Sequence, residues 1–72
     1  METEEFKNAA VVRLNEWFGE CKHDIIHTWF DIGTMYAVVK AKEHGKLHLY
    51  FFRVFTIGDV LSISQDKKME LN

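Results

Sequence analysis

The sequence predicts an α+β domain, one N-terminal helix packed on one face of a four-stranded antiparallel β-meander, in the order α-β-β-β-β. Three observations predict it. A stretch with apolar residues at helical spacing opens the chain over residues 3–21. From Asp24 onward the composition shifts to Ile, Val, Phe, Tyr, Thr and Trp, the residues that favour strands. Gly33, Gly45 and Gly58 then divide that region into runs 25–31, 34–43, 46–56 and 60–65, with gaps short enough for hairpins. Residues 66–72 read as a polar tail, and the whole of 1–72 as a single domain.

The helix has its start signals in Thr3, a residue that can cap, and in Glu4 and Glu5, which the helix dipole favours in the first turn. At 100° per residue, Phe6, Ala10, Leu14, Trp17, Phe18 and Cys21 fall within an arc of about 120°. Glu5, Asn8, Asn15 and Glu16 lie opposite, and Val12 is a lone apolar residue on the wet side. On this stripe Cys21 reads as a small core residue rather than a reactive thiol.

Strand register follows if Ile32-Gly33, His44-Gly45 and Gly58-Asp59 are two-residue loops. The middle hairpin then pairs Glu43 with Lys46, Val39 with Tyr50, Ala37 with Phe52 and Met35 with Val54. The first pairs Phe30 with Met35, Thr28 with Ala37 and Ile26 with Val39; the last pairs Val54 with Ile63 and Thr56 with Leu61. One face thereby collects Ile26, Thr28, Phe30, Met35, Ala37, Val39, Tyr50, Phe52, Val54, Leu61 and Ile63, with no charge among them. A slip of one residue in the middle hairpin would set Arg53 opposite Met35 under the helix, where an unpaired guanidinium costs several kcal/mol. A type I′ turn demands positive φ at His44.

The other face carries Ile25, His27, Trp29, Tyr36, Val38, Lys40, Lys42, Leu47, Leu49, Phe51, Arg53, Phe55 and Ser62. Its rows read Trp29–Tyr36–Arg53, His27–Val38–Phe51 and Ile25–Lys40–Leu49. A half-wet sheet ordinarily alternates apolar with polar, and this face does not. Its apolar area calls for a cover: a second copy, another protein, the tail, or stacked nucleobases. Trp29, Tyr36, Val38, Leu49, Phe51, Arg53 and Phe55 form the expected partner-binding or dimer face, rich in the residue types of interface hot spots. Lys40, Lys42 and Lys46 are the expected anion contacts.

Charge is unevenly spread. Residues 1–20 hold five carboxylates against Lys7 and Arg13, whereas Lys40, Lys42, Lys46 and Arg53 face only Glu43 within 40–53. The net charge of −2 argues against a dedicated nucleic-acid binder. The single cysteine allows no internal disulfide and fits a reducing compartment, so the cytoplasm is the expected location. Glu2, Glu4 and Glu5 spoil a signal peptide, and no stretch approaches the ~20 apolar residues of a membrane span.

The chemistry-bearing motifs are sparse. His23 and His27, like His44 and His48, stand four apart, the spacing that joins two imidazoles on a helix. On a strand the same spacing separates them by ~13 Å, and a third ligand is missing, so neither metal nor cofactor is expected. There is no nucleophile elbow, phosphate loop or dinucleotide fingerprint, and an enzyme is not expected. The leading expectation is a small interaction module that self-associates, grips a larger protein partner, or both. Such a chain suits an inhibitor or adaptor of the kind phages direct at host proteins, with the acidic helix able to imitate nucleic acid. The alternatives are a single-strand nucleic-acid binder using the aromatic and basic sheet face, and a small regulatory subunit of a larger enzyme.

Overall fold

The computed structural model describes residues 3–71. Helix α1 (Thr3–Phe18) precedes strands β1 (His23–Asp31), β2 (Thr34–Glu43), β3 (Lys46–Ile57) and β4 (Val60–Leu71). The strands form one antiparallel sheet in the order β1-β2-β3-β4, and α1 packs its apolar stripe on one face. The expected α-β-β-β-β architecture is therefore the fold of this chain.

The core joins Phe6, Ala10 and Leu14 of the helix to Met35, Ala37, Val39, Ala41, Tyr50, Phe52 and Val54 of the two central strands. These are the inward residues of the expected register, with Ala41 added one pair further along β2. Pairs Val39–Tyr50, Ala37–Phe52 and Met35–Val54 all occur. No polar or charged residue is buried among the described residues, so the slipped register with Arg53 inside is not the one adopted.

The helix stops at Phe18, three residues before the expected end. Gly19 takes φ 58°, the left-handed conformation that closes a helix, and its N–H still donates to the Asn15 carbonyl at 2.9 Å. Cys21 therefore lies beyond the helix, yet it still packs against the core. Trp17, expected inside, is 49% exposed; only one edge-to-face contact, at 5.3 Å, ties it to Phe52.

Strand β1 departs from the expected register at one point. Thr28 pairs with Ala37 and Phe30 with Met35 as foreseen, but Val39 pairs with Ile25, and Ile26 is the extra residue of a bulge. Ile25 thus packs against the core and Ile26 is 53% exposed, the reverse of the sequence reading. The tandem isoleucines let either side chain serve, and the neighbours decide. Without the bulge, Asp24 would face the core; with it, His23 does so instead. His23 is well partnered there, 2.8 Å from Asn15 Oδ1, 2.6 Å from the Cys21 carbonyl and stacked on Phe18.

The larger correction concerns the C-terminus. Residues 66–71 are not a tail but the second half of a 12-residue β4, paired with β3 as far as Leu71–Leu47. Asn72 lies outside the described residues. A bulge at Asp66, between the pairs Phe52–Gln65 and Phe51–Lys67, resets the alternation. Lys68 and Glu70 then fall on the helix side at an edge, where Glu43 and Lys46 neutralise them at 3.5 and 3.0 Å.

All three hairpins close through two residues. Ile32 and Gly33 have φ of 43° and 70°, and His44 and Gly45 have 52° and 78°, the signs of type I′ turns. A β-branched residue resists that conformation, whereas Asn adopts it readily. Ile32 is also 95% exposed, so replacing it forfeits no burial. Ile32→Asn is expected to stabilise the domain by about 1 kcal/mol, seen as a higher urea midpoint; a lower midpoint would show that Ile32 makes a contact worth more than the strain.

Candidate interaction face

The sheet face turned away from α1 is assembled by strand alternation alone. Its rows are Trp29–Tyr36–Arg53–Ser64, His27–Val38–Phe51–Lys67 and Asp24–Lys40–Leu49–Met69, with Lys42–Leu47–Leu71 beyond. The first two contain the expected triplets. In the third, the β1 bulge replaces Ile25 by Asp24.

Aromatic packing organises the β1 side of this face. Trp29 and Tyr36 stack nearly parallel, with centroids 5.2 Å apart and planes 8° apart, and the His27 ring lies 5.2 Å from Trp29. Trp29 keeps 42% of its surface in solvent. Val38, Leu49, Phe51 and Phe55 are half-buried, each shielded only by its neighbours in the sheet. Strand pairing holds the backbone beneath each of these side chains.

The electrostatics differ from the sequence expectation in two respects. Arg53 is already engaged: its Nε donates to Asp66 Oδ2 at 2.7 Å, and the Ser64 hydroxyl donates to the other oxygen at 3.1 Å. The bulge that frees Asp66 from the ladder makes this possible. Lys46 is not gathered with Lys40 and Lys42. Alternation turns it to the helix side, where it pairs with Glu70. In its place β4 brings Lys67 onto the face.

The sequence reading missed Lys67, Met69 and Leu71, although they carry a signal. They stand at every second position of Lys67-Lys68-Met69-Glu70-Leu71, the period of a strand, hidden by poor strand formers. A second group was also overlooked. The β1–β2 and β3–β4 turns share one end of the sheet and expose Ile32, Ile57 and Val60 there.

The histidine pairs are divided. The β1 bulge turns His23 inward and leaves His27 on the outer face, while His44 sits in a turn and His48 on the helix side of β3. Among the described residues no three His, Cys, Asp or Glu side chains are grouped to hold a metal ion. Nor is any helix there long and apolar enough to cross a membrane.

No family model matches this chain, and no curated protein matches it. Among solved structures, a de novo designed β-sheet protein of cystatin fold is similar to it with a TM-score of 0.61. The match covers 99% of this chain and 95% of that one at 19% identity, and it extends to the fold alone.

Proposed function

We propose that this chain is a non-enzymatic protein-interaction module that grips protein, a second copy or a larger partner, through its outer sheet face. The observation that carries this reading is the position of residues 66–71. They were the one segment of the described chain available to cover the face, and they extend it instead, adding Met69 and Leu71 beside Leu49 and Leu47. The stacked Trp29 and Tyr36 supply preformed aromatic anchors, with Val38, Phe51 and Phe55 as their apolar surround. An inhibitor or adaptor acting in the cytoplasm fits this design, and the acidic side of α1, with Glu4, Glu5 and Glu16, offers a second, weaker contact toward basic targets. Light scattering of the unaltered chain at micromolar concentration is expected to report a dimer or larger species. A monomer would remove self-association from the reading and leave the foreign partner.

The stacked rings beside Lys40, Lys42 and Lys67 favour one second reading, single-strand nucleic-acid binding. Salt separates the two. Base stacking on Trp29 would bring phosphates against the three lysines, and binding would fall with salt at a log–log slope of about −2. A grip on protein through apolar contacts would change little. With Trp17 replaced by Phe, Trp29 fluorescence is expected to show no quenching by a mixed-sequence single strand at physiological salt. Arg53 is neutralised by Asp66, and Asp24 and Asp31 border the β1 side. Saturable micromolar quenching, lost in Lys40→Glu with Lys67→Glu, would make nucleic acid the better reading.

A further inference from the structure

On the helix side of the sheet, remote from the face above, a cleft of 330 Å³ opens between the end of α1 and strands β2 to β4. Trp17, Phe18, Tyr50 and Glu43 line it together with Cys21, Gln65 and Lys68. Phe18 meets Tyr50 edge-to-face at 5.0 Å, and Tyr50 stacks on Phe52 at 5.9 Å, so the Tyr50 ring is fixed from two sides. Trp17, which helical spacing assigns to the core, stands half-exposed beside this opening. Aromatic faces carry partial negative charge and attract cations, and a carboxylate adds a full charge.

The cleft already contains a cation of this chain. Lys68 Nζ lies 5.1 Å from the centre of the Tyr50 ring and 3.5 Å from Glu43 Oε2. Lys68 reaches in from the edge strand with less than half of its side chain exposed, so a competitor need displace only this one side chain. We infer that the Trp17–Phe18–Tyr50–Glu43 cleft is a binding site for a small organic ammonium ion, of quaternary or methylated type, for which Lys68 is the resident substitute. A methylated ammonium suits these walls better than lysine does, because it is larger, less hydrated and apolar at its rim. At 330 Å³ the cleft is at the small end of ligand sites, the size for a head group rather than a whole metabolite.

The test uses the full chain with Trp29→Phe, which leaves Trp17 as the reporter. Tetramethylammonium chloride is titrated against sodium chloride at matched ionic strength. A saturable change in Trp17 fluorescence in the millimolar range is expected. Lys68→Met, which removes the resident ammonium, is expected to tighten binding roughly fivefold, and Lys68→Gln serves as a second variant without the charge should the first fold poorly by far-UV dichroism. Glu43→Gln in the Lys68→Met background is expected to abolish the response. Choline and a trimethyl-lysine peptide distinguish a free ammonium compound from a modified side chain as the source. The inference is overturned if no change exceeds the sodium control, if vacating Lys68 weakens binding, or if Glu43→Gln leaves it intact. Because the outer face is not involved, failure here leaves the protein-grip reading standing, and failure there leaves this one.

Discussion

Phe52→Ala is expected to lose about 3–5 kcal/mol and to lower the urea midpoint by a large fraction. Phe52 is 1% exposed and has three aromatic neighbours, Trp17, Phe18 and Tyr50. Truncation removes the central piece between α1 and β3, and little nearby can collapse into the gap, since Met35, Val39 and Val54 are themselves fully enclosed. A chain of this size has a total stability on the order of 4–10 kcal/mol. Phe51, one residue earlier, is half-buried on the opposite face, and Phe51→Ala is expected to cost the monomer far less. Urea melts of the two variants, run dilute enough to keep the chain monomeric, make the comparison. The reverse ranking would place the sheet register one residue off.

Phe51→Asp is expected to abolish association through the outer face while leaving the fold intact. Phe51 occupies the centre of the row His27–Val38–Phe51–Lys67. In the lone chain an aspartate there stays wet and has Lys67 for a neighbour, so far-UV dichroism should not change. In an interface the same carboxylate must leave water among apolar side chains, at a cost of several kcal/mol. A penalty of ~3 kcal/mol weakens association more than a hundredfold, which light scattering reads as a shift to monomer. Persistence of the larger species in this variant would mean that the contact lies elsewhere, with the exposed Ile32, Ile57 and Val60 at the turn end the next surface to alter.

The elements that could be read from sequence are those in which local pattern and tertiary need agree. In β2 and β3, the inward positions from Met35 to Ala41 and from Tyr50 to Val54 are all apolar, and moving Arg53 inward is forbidden, so a single register survives. Two-residue loops ending or starting in glycine fix the strand ends. The errors fall where the chain breaks its own period. Ile25-Ile26 offers two equivalent candidates for one inward position, and the choice follows from Asp24 and His23, whose neighbours lie in other elements, Lys40 on β2 and Asn15 on α1. Residues 66–71 lack strand formers, and their ladder is supplied by β3 rather than by their own preference. Arg53 could be placed on its face but not paired, because its partner Asp66 comes into reach only through a bulge that no local signal announces. Trp17 falls inside its helical arc, between the buried Phe6 and Ala10 in angle, and its exposure goes with its place in the last turn of α1 rather than with its angle.

The two bulges have a consequence for what this surface can become. Strands β1 and β4 are the free edges of the sheet, and an edge of regular backbone is a template on which further copies can zip into fibres. Each edge strand carries one supernumerary residue, Ile26 on β1 and Asp66 on β4, which breaks the even spacing of its outward N–H and C=O groups. Lys67 and Lys68 add like charges along the second. Growth in the plane of the sheet is thereby discouraged at both ends, although the chain is rich in aromatic and branched residues. Contact face to face is of another kind, since the same patch is consumed on both molecules and nothing is left to recruit a third. A chain built this way can stay sticky on one broad side without polymerising.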